Sequence, residues 1–259
     1  QHLRFGKKIK EVSELKEKIL IKFDDNTNHL VDFVIVADGI FSNTKTFFEK
    51  KKNKPIYKKA LAVRVIVKSK SELNIDENNI SLMMGSNIHI AIYPINKKKE
   101  LNIVCIIRSK KYDPDNIKSL IESTVLKQNP NLKIIFSNEI QSWPLYYTPK
   151  ILPSSNKKVF YIGDAFNGFL PTLAQGAGQS IESAYEIFNL LKDGKLGNDN
   201  TYFKERSQRV KIIRRRSNLN FFAFHFSSLI MQKIRNTFLK FLVKRNNFIE
   251  GYLGKVYKN

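Results

Sequence analysis

The run "FYIGDAFNGFLPTLAQGAGQSIESAYEIF", residues 160–188, decides how the rest of the chain is read. An apolar strand ends in Gly163 and Asp164, Pro171 then fixes the path of the backbone, and Gly176 and Gly178 open a helix. A carboxylate at a strand's end can accept hydrogen bonds from ligand hydroxyls, and Gly163 before it lets the backbone come close to whatever lies above. A helix start without side chains offers free N–H groups and the positive end of the helix dipole to negative charge. These features suit a large planar ligand with hydroxyls on one side and an electron-accepting ring on the other. They equally suit a plain helix start, with glycine for close packing and Asp164 as a turn residue. Local chemistry leaves both readings open.

Upstream, "VDFVIVADGIFSNTK", residues 31–45, carries a second acidic corner. Its β-branched centre reads as a strand buried on both faces. Asp38 and Gly39 end that strand, Ser42 follows as a helix cap over 42–50, and Lys45 falls in the first turn.

Between the two corners the chain reads as strands separated by polar turns: "ALAVRVIVK", "ISLMMG", "IHIAIYPI", "ELNIVCIIR" and "EIQSWPLYY". A helix near 114–127 interrupts them, with Asp113 as cap and Pro114 at its first position. The expected organisation is residues 1–54 and 151–195 as two parts of one domain, 55–150 as an inserted, mostly antiparallel sheet, and 196–259 as C-terminal helices. Two basic helices are expected in that tail, at about 199–216 and 218–245. The fold class is therefore an α/β, or mixed α+β, architecture.

Of the 259 residues, 45 are Lys or Arg and 23 Asp or Glu, a formal charge of +22. The basic residues are scattered through polar turns, and no aromatic RNA-binding signature or zinc spacing accompanies them. Neither nucleic acid nor a metal ion is an expected partner. The single cysteine, Cys105, lies in an apolar strand and reads as a small buried hydrophobe. One cysteine excludes a disulfide framework and fits a reducing, cytoplasmic setting. The text begins at Gln1 in mid-pattern and reads as the C-terminal part of a longer protein.

Taken together, the two corners resemble the flavoprotein monooxygenases of the aromatic-hydroxylase type, the para-hydroxybenzoate hydroxylase family, which includes salicylate and ubiquinone-biosynthesis hydroxylases. The first is similar to that family's Asp-Gly motif, Asp-x-x-(Ile/Val)-Gly-Ala-Asp-Gly-x-x-Ser-x-x-Arg. The second is similar to its Gly-Asp motif, Gly-Asp-Ala-x-His-x-x-x-Pro-x-x-x-Gln-Gly-x-(Gly/Asn). The resemblance implies the C-terminal part of a two-domain flavoprotein fold with FAD as cofactor and NADH or NADPH as co-substrate. It further implies that O2 is used to hydroxylate a small aromatic substrate, a lipophilic ring being one option. By the same resemblance Asp38 and Gly39 would sit near the pyrophosphate, and Gly163 and Asp164 at the ribityl hydroxyls. Pro171, Gln175, Gly176, Ala177 and Gly178 would lie along the flavin ring. Arg64, His89, Tyr93 and Trp143, on the inserted sheet, are the candidates to meet substrate. No residue is identified as a catalytic base.

This sequence departs from the family's pattern in several places. Val36 stands where Gly is usual, Lys45 for Arg, Asn167 for His, Ala174 for Gly, and Ser183 for an acidic residue. Lys45 keeps the charge without the planar fork, and Asn167 keeps hydrogen bonding without a titratable ring. The Gly-x-Gly-x-x-Gly run that would hold the adenosine half of FAD is absent from these 259 residues. Weak or no binding of FAD is therefore expected for this stretch alone. Halogenases and isoprenoid reductases share both motifs, and a non-catalytic remnant or partner-binding subunit is a further alternative.

Residues 217–232 lack Lys, Arg, Asp and Glu but are too short and too interrupted to span a bilayer. Two readings of this C-terminal stretch stay open. Either it packs over the flavin domain, or its mixture of aromatic and basic residues lies peripherally on the inner face of a membrane.

Overall fold

The computed structural model describes residues 3–49, 53–68, 78–198 and 200–257. In chain order the strands are β1 (Ile9–Glu14), β2 (Ile19–Phe23), β3 (Asn28–Val31), β4 (Val34–Val36), β5 (Ile56–Val67), β6 (Ser81–Gly85), β7 (Ile88–Ile95), β8 (Glu100–Arg108), β9 (Gln141–Tyr147) and β10 (Val159–Tyr161). The helices that matter here are α1 (Lys45–Phe48), α2 (Ile117–Ile121), α3 (Gly163–Asn167), α4 (Gly176–Lys192), α5 (Thr201–Phe224) and α6 (Leu229–Leu242). They form two compact units, one of residues 1–56 and 146–215, the other of residues 57–145 and 216–259.

In the first unit β1, β2 and β3 make an antiparallel meander, while β4 and β10 pair in parallel with Val36 opposite Tyr161. All three residues of β10 are buried, as a strand covered on both faces requires. Val159 and Tyr161 join Val36, Phe48, Phe166 and Val210 in one cluster. Phe160 points the other way, to Ile187, Leu196 and Tyr202.

The second unit is built on a sheet of order β6-β7-β8-β5-β9. Alternation decides its faces. Val63, Val65, Ile90, Ile92, Ile103 and Cys105 form the core with Ile117, Ile121 and Ile135. Arg64, Asn102 and Tyr93 belong to the opposite face, with Tyr93 and Asn102 directly across from each other. Burial pushes the Cys105 thiol up to about 12, so it stays protonated and packs as a small hydrophobe. Pro144 lies in β9, an edge strand, where a missing N–H is tolerated.

Three helix expectations need correction. The helix expected over 42–50 is regular only from Lys45 to Phe48, although Ser42 Oγ does accept from Lys45 N at 3.1 Å; residue 50 lies outside the described residues. The helix expected over 114–127 begins at Ile117, because Asp113 accepts from Asp115 N and Asn116 Nδ2 and makes a turn instead. From Glu122 it widens into a π-turn, where Ser123 and Thr124 hydroxyls bond back to carbonyls one turn earlier. The break expected at residue 217 is absent. Val210, Ile213, Ser217 and Phe221 are all buried at helical spacing, and that continuous stripe carries α5 through to Phe224. The chain turns only at residues 225–228, where Arg235 Nη1 reaches back to the carbonyl of Ala223.

Candidate functional site

The first unit brings the two acidic corners together. Parallel pairing sets the ends of β4 and β10 side by side, and Ile162 N donates to Val36 O at 3.0 Å. Asp38 and Asp164 follow at the carboxyl ends of those strands, the position at which open α/β sheets hold ligands. Two further contacts lock the corners. Lys45 Nζ donates to Ala165 O at 2.7 Å and lies 4.7 Å from the centre of the Tyr161 ring. Gly168 packs against the side chain of Ile40, which a Cβ at that position would strike. The ammonium of Lys45 therefore links the motifs; burial lowers its pKa against the pull of Glu49 and Asp38.

The two carboxylates differ. Burial works to raise Asp38, but hydrogen bonds from Ser42 and Thr44 outweigh it and hold the carboxyl below its usual range. Asp164 has no hydrogen-bond or ion-pair partner among the described residues, and desolvation pushes its pKa above the ordinary value. An unpaired, partly desolvated carboxylate at a strand's end is the kind of group that marks a site.

Gly163 takes φ +55°, and an added Cβ would sit 2.6 Å from Ser180 Oγ of α4. No other residue fits there without strain. Ser183, which stands where an acidic residue is usual, accepts from Gly163 N at 3.2 Å and donates to Ser180 O, tying α4 to the strand end. After the short turn Pro171–Leu173, Ala174 adopts φ +52°, the left-handed conformation that explains the glycine usual at this position. Gln175 caps α4 in position but not by a side-chain bond, and the helix has no acidic residue in its first turn. A Cβ on Gly176 would meet nothing within 4 Å, and one on Gly178 only Gln175 Oε1 at 3.8 Å. An open, uncapped helix start beside a free carboxylate fits a planar, electron-accepting ring carrying a hydroxylated chain.

Asn167 corrects an expectation. It is 2% exposed, and neither amide atom finds a partner among the described residues, so the hydrogen bonding expected of it is not made there. The sequence reading also missed a buried network on the far side of α4. Arg206, 1% exposed, bonds Glu182 and Glu186, while Arg209 bonds Glu182. Carboxylates four residues apart on one helix and arginines three apart on the next were the available signal.

In the second unit, Arg64 Nε donates to Asn102 Oδ1 at 2.6 Å, and Asn102 is itself buried. Tyr93 is half-buried beside them, and Trp143 is 41% exposed. His89 is turned into the interior, 3.2 Å from His225 Nε2 and edge-on to Phe224. Among the described residues no cluster of three or more His, Cys, Asp or Glu could hold a metal ion.

Paired parallel strands with acidic carboxyl ends, and an antiparallel sheet inserted between them, define the FAD-dependent monooxygenase fold. The chain belongs to the squalene epoxidase family, whose model matches residues 30–252. It is 24% identical over 236 residues to 3-amino-4-hydroxybenzoate 2-monooxygenase PtmB3 of Streptomyces platensis, covering 87% of this chain and 59% of that protein. To a salicylate hydroxylase of Pseudomonas putida it is 23% identical over 219 residues, covering 74% of this chain and 50% of that one. The chain thus spans between half and three-fifths of these relatives. The solved structure of Klebsiella pneumoniae HpxO with FAD and uric acid superposes with a TM-score of 0.81 at 15% identity, over 97% of this chain and 66% of that one.

Proposed function

We propose that this chain serves an FAD-dependent monooxygenase that hydroxylates an aromatic ring. One atom of O2 would enter the ring and the other leave as water, the electrons coming from NADH or NADPH. The observation that carries this reading is the joining of the Asp38 and Asp164 corners beside the bare start of α4. Bound FAD would supply the oxygen chemistry. Asp164 and Gly163 would hold the ribityl hydroxyls, with Asp38 and Gly39 toward the pyrophosphate. Pro171, Gln175, Gly176, Ala177 and Gly178 would border the ring, and the dipole of α4 would favour negative charge on it.

Arg64 supports a substrate that bears an acidic group. Its Nε is committed to Asn102, and among the described residues no carboxylate pairs with it. The outer two nitrogens of the fork are then free for a carboxylate or phenolate. The names of the relatives, which act on aminohydroxybenzoate and salicylate, agree. The test is flavin retention by the purified full-length protein, then NAD(P)H-dependent oxygen uptake with a panel of hydroxybenzoates. Stoichiometric flavin and a hydroxylated product are expected. Failure to retain flavin would remove the reading, and oxygen uptake without product would remove the hydroxylase assignment.

We further propose that α6 lies on an anionic membrane surface. Ile230, Ile234, Phe238 and Phe241 repeat at helical spacing and are 53–70% exposed. Lys233, Lys240 and Lys244 flank them, and residues 206–249 contain no Asp or Glu. An exposed apolar stripe edged by cations suits an interfacial helix, whereas a second copy of this basic chain would be repelled. Among the described residues no helix is long and apolar enough to cross a membrane. Co-sedimentation is expected with phosphatidylglycerol-containing vesicles, weakened by Phe238→Gln and by added salt. Equal pelleting with neutral vesicles, or none with either, would end this reading.

A further inference from the structure

We infer that Arg206 is a positioning residue that fixes, through Gln179, the direction in which Gln175 offers its side-chain amide. The inference rests on the flavin reading of α4 and names a group that acts on that site from behind.

The charge on Arg206 cannot change sign. A guanidinium is a donor only and stays protonated. Arg206 is buried with Nη2 at 2.7 Å from Glu186 Oε1 and 3.0 Å from Glu182 Oε2. Its other arm, Nη1, donates to the Gln179 backbone carbonyl at 3.3 Å and to Gln179 Oε1 at 3.4 Å. Only the oxygen of Gln179 can face that arm, so its NH2 must face away. That NH2 meets two acceptors: Glu182 Oε1 at 2.8 Å and Gln175 Oε1 at 3.1 Å. Glu182 is ionised, hence acceptor-only, because its bonds from Arg209 and Arg206 outweigh the effect of burial and lower its pKa.

Amide orientation is ordinarily ambiguous, since N and O are nearly isosteric. Here a fixed cation on one side and a fixed anion on the other remove the ambiguity at Gln179, and Gln179 removes it at Gln175. A flipped Gln175 would set two NH2 groups against each other and lose a hydrogen bond. With its oxygen held, Gln175 keeps its NH2 free: among the described residues that nitrogen has no partner. Gln175 stands at the start of α4, next to the open space over Gly176. The relay therefore presents a hydrogen-bond donor, and not an acceptor, at the place where the ring would lie. A donor there complements a ring that gains electrons, and it adds to the dipole of α4.

The test is a double-mutant cycle on flavin affinity, read by fluorescence titration of the full-length apoprotein with FAD, with thermal melting alongside. Gln179→Met cuts the relay and leaves every arginine–glutamate pair. Arg206→Lys keeps a cation beside Glu182 and Glu186 but loses the planar arm to Gln179. Each is expected to weaken FAD binding about tenfold, the value of one hydrogen bond. Neither should weaken it further in a Gln175→Met background, because the group being aimed is already gone. A Gln179→Met protein that binds FAD as tightly as wild type would overturn the relay. So would full additivity with Gln175→Met, which would show a merely structural effect. Wild-type protein that binds no FAD would instead overturn the flavin reading beneath it. The two failures are thus distinguishable.

Discussion

Asp164→Asn is expected to weaken FAD binding by roughly 100-fold while leaving the apoprotein at least as stable as wild type at neutral pH. The first half follows from what a carboxylate adds over an amide. Hydrogen bonds to a charged acceptor contribute about 1.5–3 kcal/mol against about 0.5–1.5 for a neutral one. Two ribityl hydroxyls would lose the difference twice, and about 2.7 kcal/mol is a hundredfold in Kd. The second half follows from the direction of the Asp164 shift. Desolvation raises its pKa in the folded protein above the ordinary 3.8. The folded state then binds a proton more readily than the unfolded chain, so ionisation at neutral pH works against folding. That penalty is relieved as pH falls through the folded pKa. An asparagine carries no charge, so any difference in melting temperature should favour it at pH 7 and shrink toward pH 4, and it should be small because Asp164 is exposed. Binding and stability moving in opposite directions would distinguish a ligand-binding carboxylate from a structural one. Parallel losses of both in Asp164→Asn would show that the side chain holds the fold.

The parts of this site that the sequence made legible are those in which a residue's job is settled within a few positions. Gly163 is one: a strand, a tight turn and the close approach of α4 demand a residue without Cβ. Asp38 and Gly39 at the end of an apolar run are another. The β7 and β8 strands could be read from their own alternation, and so could Cys105 as a core residue. Long-range side-chain pairing was not legible. His89 alternates within "IHIAIY" and reads on its own as a solvent-facing strand residue, whereas the fold buries it. Its partner His225 lies 136 positions away. Arg206 and Gln179 are 27 apart on different helices, and neither belongs to a motif. The junction between α5 and α6 failed for a related reason. The buried stripe of Val210, Ile213, Ser217 and Phe221 runs past the break expected at residue 217 and carries the helix through it.

Acidification from pH 6.5 to 4.5 is expected to destabilise the second unit by roughly 2–3 kcal/mol through His89 alone, and His89→Gln should remove that share of the slope while His225 keeps its own. Both imidazoles are nearly inaccessible, at 4% and 1% exposure. Their hydrogen-bond geometry settles the tautomers. His225 Nδ1 lies 2.6 Å from the carbonyl oxygen of Phe221, so that nitrogen carries the proton. A neutral His225 then has only a lone pair at Nε2, which accepts from His89 Nδ1 at 3.2 Å. A proton added at His225 Nε2 could turn to Ile106 O, also at 3.2 Å, but it would oppose the His89 N–H. Desolvation, then the charge of His225, holds His89 down at about 3. Desolvation is also the largest cause of the lowered pKa of His225, working against its backbone hydrogen bonds, with Arg108 adding to the depression. The sign follows directly. Below the unfolded pKa near 6.5 the unfolded chain takes up protons that the folded pair refuses, so stability falls as pH drops toward the folded values. A group with so depressed a pKa loses about 1.4 kcal/mol per pH unit in that window. Glutamine keeps a donor for His225 Nε2 but cannot titrate, so His89→Gln should match wild type within about 1 kcal/mol at pH 7. Urea unfolding at pH 7.0, 5.5 and 4.5 reads both quantities. Identical pH slopes for wild type and His89→Gln would show that the pair already accepts a proton in the folded state, and that its burial is not what resists charge.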